Sequence, residues 1–266
     1  MARASIGDAE LYYEDTGRGE PLLLVPGLSG RGSFWAHQVP ELARDFRVVV
    51  HDHRGTGRST HSRIRYSVEQ MADDLLRLMD ALGIEAAHLV GHSTGGAIGQ
   101  VLAVEHPGRL KSLVLSATWA GPDPYFRRLF ESRKGVLLSQ GVEAYLRASA
   151  LYMAPPAWIS ANDALLDQQH AAALAEAAPV EVTISRIDAI LRHDRRGQLG
   201  AIRAPTLVIV AQDDAITPRF YSEELASRVP GAKLVVLETG GHGVPATCPA
   251  AYNAAVGGFL RGQIGR

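Results

Sequence analysis

The chain has little that would commit it to a specialised environment. One of its 266 residues, Cys248, is a cysteine, so no disulfide can close within it, and a small secreted fold stapled by disulfides is excluded. Neither sign of charge dominates: the formal net charge is -1 with 21% charged residues. There is no basic surplus to suit nucleic acid and no acidic block of the kind found in disordered tails. Long apolar runs are missing too. Leu22–Val25 and Thr206–Ala211 fall far short of a membrane span, and Met1–Asp8 holds no apolar stretch of signal-peptide length. No internal repeat or low-complexity tract interrupts the chain. These absences lead to the expectation of a cytoplasmic protein that acts on a small molecule, has neither nucleic acid nor membrane as a partner, and is free to form a homodimer.

What the chain does have is alternation. Short apolar, β-branched runs at Leu22–Val25, Phe46–Val50, Ala87–Val90, Ser112–Ser116, Thr206–Ala211 and Lys233–Leu237 read as buried strands, with a further strand at Ala9–Glu14. Helical spacing separates them. Ser33–Ala43 carries Phe34, Trp35, Val39 and Leu42 on one face. Ser67-Val68-Glu69-Gln70 has the form of a capping box before Met71, Leu75, Leu78 and Leu82. Helices are also expected over Ala97–Glu105, Pro218–Val229 and Pro249–Leu260. Strand–helix alternation of this kind implies an α/β fold, a mostly parallel sheet with helices on both faces. Between about 122 and 200 no apolar strand occurs, only helix-like stretches split by Gly135, Gly141, Pro155-Pro156 and Pro179. The expected organisation is therefore a core of residues 1–121 and 201–266 with an inserted helical cap of residues 122–200.

Chemistry concentrates at Gly91-His92-Ser93-Thr94-Gly95-Gly96, between the Ala87–Val90 strand and the following helix. Gly-x-Ser-x-Gly at a strand-to-helix turn is a nucleophile elbow, which exposes a serine hydroxyl above the sheet. A serine needs a base, and the base needs an orienting carboxylate. Both stand later in the chain at strand ends: Asp213 or Asp214 after Thr206–Ala211, and His242 in Gly240-Gly241-His242-Gly243 after Lys233–Leu237. Ends of parallel strands are where active groups gather in open α/β sheets. Of the ten histidines, His37, His61, His106, His170 and His193 read as solvated, and His92 as packing under the elbow. His51 and His53 flank Asp52, but Arg54-Gly55 breaks the strand that would aim them together, so no metal site is expected. The oxyanion formed on attack needs two N–H donors. Thr94 N–H, at a helix start, is one candidate, and Leu28 N–H, in the Pro26–Gly32 loop, is the other. Trp119, Phe126, Tyr145, Tyr152, Met153 and Trp158 are candidates for lining an apolar substrate pocket. The 123–200 stretch holds nine Lys/Arg and nine Asp/Glu, which gives no reason to expect anion steering. A dinucleotide fingerprint fails after Gly55-x-Gly57, and no phosphate loop is present. No cofactor is needed by a serine mechanism.

With these motifs in place the chain resembles the α/β-hydrolase superfamily over essentially its full length. The similar stretches are Val25-Pro26-Gly27-Leu28, Asp52-His53-Arg54-Gly55-Thr56-Gly57-Arg58-Ser59, the elbow, Asp214-Ala215-Ile216-Thr217-Pro218 and Gly240-Gly241-His242. Within it the chain is most similar to the aminoacrylate (carbamate) hydrolases of pyrimidine utilisation. That likeness runs through Tyr66–Ala72 and cap segments near Gly141–Tyr152 and Ala157-Trp158; enol-lactonases and esterases are similar in the core. The resemblance implies Ser93, His242 and Asp214 as the catalytic triad, because the acid of such enzymes stands four residues before the proline. It implies cleavage of a small ester, lactone, amide or carbamate-like compound through an acyl-enzyme. Pro26-Gly27 replaces the His-Gly usual in such oxyanion loops. Serine at position 93 argues against the dehalogenases and epoxide hydrolases, which carry aspartate there. C–C bond hydrolysis, cofactor-free oxidation and small-molecule reception are the alternatives carried by the same fold, since fold alone does not set chemistry.

Overall fold

The computed structural model describes residues 2–265. Its strands are β1 (Ala2–Ser5), β2 (Glu10–Thr16), β3 (Glu20–Val25), β4 (Phe46–His51), β5 (Ala87–His92), β6 (Leu110–Ser116), β7 (Thr206–Ala211) and β8 (Lys233–Leu237). They form one eight-stranded sheet in the order β1-β2-β4-β3-β5-β6-β7-β8. The pairs from β4 to β8 are parallel, whereas β1 and β2 join antiparallel at one edge. This is the mostly parallel α/β sheet expected from the alternation.

The strands read as continuous apolar runs because each is covered on both sides. Strand side chains alternate between faces, so Leu22 and Leu24 enter one packed layer and Leu23 and Val25 the other. Val48 and Val50 join the first layer, and Val49 the second. The helices that cover them, in chain order, are α1 (Val39–Leu42), α2 (Val68–Ala81), α3 (Thr94–Glu105), α4 (Pro124–Met153), α5 (Pro156–Ala161), α6 (Asp163–Ala175), α7 (Val180–Arg192), α8 (Arg219–Arg228), α9 (Val244–Thr247) and α10 (Pro249–Arg261). Trp35, Leu42, Tyr252, Val256 and Leu260 close the first layer; Leu75 and Leu78 of α2, Ile98 and Val101 of α3, and Leu225 of α8 close the second.

Three local expectations change. The Ser33–Ala43 stretch is a 3₁₀ turn at Gly32–Trp35 followed by the single turn of α1. Pro40 has no N–H to give, so it suits a helix's first turn and not its middle; Trp35 and Leu42 are buried regardless. The capping box before α2 is half formed: the Ser67 hydroxyl accepts from Gln70 N–H at 3.0 Å, but the Gln70 side chain donates to Asp74 instead of turning back. His193, expected in solvent, is 3% exposed and lies edge-on to Trp119. Burial pushes its pKa down to about 4.

Helices α4–α7 lie between β6 and β7 in the chain. Asp123 caps α4, its carboxylate accepting from Phe126 N–H at 2.9 Å. Gly141 (φ 84°, ψ -178°) breaks α4 into two helical pieces. Among the described residues no helix is long and apolar enough to cross a membrane.

Candidate active site

The turn from β5 to α3 puts Ser93 at φ 53°, ψ -116°. Positive φ in a residue other than glycine costs about 1–3 kcal/mol and persists only where its surroundings impose it. Here they do. Ser93 N–H donates to the Ser116 carbonyl at 2.8 Å, and the Thr118 hydroxyl donates to the Ser93 carbonyl at 2.8 Å. Ala117 itself stands at φ 45°, turning the chain past β6 between those two residues. Close approach explains the flanking glycines. A Cβ on Gly95 would stand 2.1 Å from the Val25 carbonyl oxygen, and one on Gly91 2.2 Å from the Gly95 oxygen. Neither obstacle is a flexible side chain. Gly95→Ala is therefore expected to act as overpacking, a cost of about 1–3 kcal/mol. It should lower the thermal midpoint by at least about 2 °C at this chain length; a melt followed by circular dichroism checks it.

His242 Nδ1 lies 2.9 Å from Asp214 Oδ2 and 3.1 Å from Oδ1. A carboxylate offers only acceptors, so the ring proton sits on Nδ1 and Nε2 is left as an acceptor. Asp214 is itself held: Oδ1 accepts from the Ile216 and Thr217 N–H groups at 2.8 Å each, and Oδ2 from the Thr217 hydroxyl at 2.9 Å. Asp213 points elsewhere. It accepts from the Thr239 hydroxyl at 2.7 Å and from Gly241 N–H at 2.8 Å, so it ties the loop that carries His242. Those bonds hold the Asp213 carboxyl below its usual pKa against the opposing effect of burial. The His242 ring's hydrogen-bond partners among the described residues are Asp214 and Thr217. Contacts from a catalytic base to its nucleophile are often long before substrate binds.

Ser93 and His242 open onto one cavity of about 250 Å³. Gly27 and Leu28 form part of its wall, and a Cβ on Gly27 would lie 3.2 Å from Ser93 Cβ. The oxyanion-loop candidate thus abuts the serine. His92 sits beside them, its ring 4.7 Å from Phe34 and 4.8 Å from His242, with Nδ1 3.2 Å from the Ser116 hydroxyl. Burial, with the neighbouring His242 adding to it, keeps His92 well below the usual histidine pKa and hence uncharged. The sequence places His92 under the elbow; its ring is buried there and also forms part of the cavity wall.

Of the six side chains proposed for the pocket, Tyr145 and Met153 line the cavity and four do not. Trp119 and Phe126 are wholly buried, their rings 4.6 Å apart in the core. Tyr152 packs against the core and under Arg133. Trp158 lies half-buried on α5, its carbonyl accepting from Asn162 at 2.8 Å. Phe126 of α4 packs on Trp119, Phe130 and Tyr221, a use that spacing alone does not separate from a ligand wall. The cavity instead receives Phe130, Leu137, Val142 and Leu146 from α4, together with Arg31, Arg133 and Arg186. Arg31 pairs with Glu176 at 3.1 Å. Among the described residues Arg133 has no carboxylate against it: Nη2 donates to the Tyr145 and Ser149 hydroxyls at 3.3 and 3.0 Å, and the buried Nε has no partner. The balanced charge count over 123–200 hides this, because Glu176 alone of the acids in that stretch lines the cavity. His51 and His53 stack at 5.0 Å, Asp52 between them is taken by Arg58 and Gly32 N–H, and no group of three potential ligands for a metal occurs among the described residues.

Comparison with known proteins agrees with this architecture. A family model described as alpha/beta hydrolase fold matches residues 20–246. A protein of Azorhizobium caulinodans named as carbamate hydrolase RutD is 41% identical over 264 residues, covering 99% of each chain. One of the same name from Caulobacter sp. is 43% identical, covering 92% of this chain and 91% of its own. Among solved structures, the enol-lactonase from Burkholderia xenovorans superposes with a TM-score of 0.90 at 28% identity, covering 98% of this chain and 100% of that one. The chain belongs to the alpha/beta hydrolase fold family and is a hydrolase.

Proposed function

We propose that this chain is a serine hydrolase in which Ser93 is the nucleophile, His242 the general base and Asp214 the residue that orients it. His242 Nε2 takes the Ser93 proton as Oγ attacks the substrate carbonyl. Leu28 and Thr94 N–H groups hold the resulting oxyanion; neither donates to a protein acceptor among the described residues. His242 then passes its proton to the leaving group, and a water, deprotonated by His242, releases the acyl product and restores Ser93. The observation that carries the reading is the strained Ser93 opening onto the same cavity as a histidine whose Nδ1 meets a fully hydrogen-bonded aspartate. Residues 122–200 are a cap over a core of 1–121 and 201–266, since Phe130, Arg133, Leu137 and Met153 reach the cavity from that segment.

The substrate we infer is a small carbonyl compound bearing negative charge, of carbamate type. Three arginines against one glutamate in the cavity wall support the charge, and a volume of about 250 Å³ supports the size. Relatives about two-fifths identical carry the name carbamate hydrolase. The test is multiple turnover on a panel of short carbamates, amides, lactones and esters, each offered with and without a carboxylate. Turnover should be highest for a carboxylate-bearing member. Ligand binding without multiple turnover on any member would contradict the reading and favour a receptor. Arg133→Met should raise KM for carboxylate-bearing members about 10–100-fold, the value of a hydrogen bond to a charged group. KM for neutral esters of the same length should stay put.

A further inference from the structure

Arg186 belongs to α7, yet its guanidinium ends among the loops that follow β3 and β4. It is 1% exposed. Nη1 donates to the Arg54 carbonyl at 2.9 Å; Nη2 donates to the Leu28 carbonyl at 3.1 Å and to His53 Nδ1 at 3.0 Å; Nε has no partner among the described residues. Every acceptor is uncharged, since burial holds His53 well below the usual histidine pKa. Burial pushes Arg186 itself down to about 10, which leaves it charged at neutral pH. Taking a cation out of water without a counter-ion is costly, and an apolar residue in its place is often no less stable. Stability is a poor reason for an arginine here.

Its placement supplies a better one. The Leu28 carbonyl it holds belongs to the residue whose N–H donates to no acceptor among the described residues and whose neighbour Gly27 abuts Ser93. The Gly30 N–H donates to the Gly27 carbonyl at 2.9 Å, closing the turn. Gly30 stands at φ 69°, and a Cβ there would lie 3.1 Å from Arg186 Nη2 and 2.6 Å from Thr56 Oγ1. The turn is thus built tightly around the guanidinium. We propose that Arg186 is a positioning residue of the oxyanion hole. It reaches from the insertion to anchor the Leu28 carbonyl, fixes the direction of the Leu28 N–H, and sets a permanent positive charge behind the developing oxyanion. The proposal rests on the serine-hydrolase reading.

The test compares wild type, Arg186→Lys, Arg186→Gln, Arg186→Met and Ser93→Ala on p-nitrophenyl acetate, with active sites counted by a fluorophosphonate and phenylboronic acid as the tetrahedral mimic. Arg186→Met should lower kcat per counted site about 10–100-fold, as misplacing a catalytic group does. KM should stay within about threefold, phenylboronic acid should weaken by the same factor as kcat, and Arg186→Lys should recover part of both. A purely structural role would reduce the number of counted sites and leave kcat per site unchanged; that result overturns the proposal, as would three variants that all fail to fold. If Ser93→Ala is inactive while the Arg186 variants match wild type, the proposal falls and the serine mechanism stands. If Ser93→Ala matches wild type, both fall.

Discussion

Ser93→Ala is expected to fold as the wild type does and to lose turnover by up to about 10⁶-fold, the loss seen when a serine nucleophile is removed. The elbow's geometry accounts for both effects. The bonds that hold Ser93 in place use its backbone: N–H to Ser116, and carbonyl to Thr118, Gly96 N–H and Ala97 N–H. Alanine keeps all of them, and its methyl group meets the positive φ at about the same steric cost as the serine side chain. The hydroxyl is the only part lost, so the change falls on the covalent step. Activity that survives at wild-type level in a variant with an unchanged melting point would mean that another group attacks the carbonyl.

Asp214→Asn is expected to cost about 10⁴-fold in kcat with the fold retained, as amide replacement of a triad aspartate does. Asp214 is surrounded by donors: two N–H groups, the Thr217 hydroxyl and His242 Nδ1–H. An asparagine has one oxygen, which the Ile216 and Thr217 N–H groups claim. Its amide nitrogen then faces Thr217 and His242 and can only donate, so His242 Nδ1 becomes the acceptor and the proton moves to Nε2. A histidine protonated at Nε2 cannot take the serine proton. Asp213→Asn provides the contrast. Asp213 touches Thr239 and Gly241 and not His242, so its replacement should loosen a loop and lower kcat by no more than about tenfold, the equivalent of one lost hydrogen bond. Equal losses in the two variants would contradict the assignment. Steady-state kinetics beside thermal melts gives the comparison.

Much of this was legible in the chain because the informative signals are local. Leu22–Val25 and Thr206–Ala211 read as doubly covered strands, and they are β3 and β7 at the sheet's centre and toward its edge. Gly91–Gly96 read as an elbow because no other residue type fits where Gly95 meets Val25. Asp213 and Asp214 were not separable by spacing: adjacent residues at a strand end, one turned to the Thr239–Gly241 backbone and one to the imidazole, differ only in three dimensions. The resemblance pointed to Asp214, and that is the residue against His242.

What stayed hidden depends on distant contacts. Arg133 and Arg186 look like ordinary helix charges until the fold carries their guanidinium groups into the cavity wall, the latter next to a loop 158 residues away in the chain. The aromatics of α4 lie at helical spacing whether they face a ligand or pack on other side chains. Strand β1 has only four residues and gains its conformation by pairing with β2, so it has no pattern of its own to read. Ser33–Ala43 has a helical apolar face, but Pro40 overrides it.

The most direct measurement is the mass of the intact protein after reaction with a fluorophosphonate, followed by peptide mapping. The account predicts one adduct per chain, on the peptide that contains Ser93, appearing in step with the loss of hydrolysis and absent from Ser93→Ala. An adduct on a different residue, or an unlabelled Ser93 in an enzyme that has lost its activity to the reagent, would contradict it.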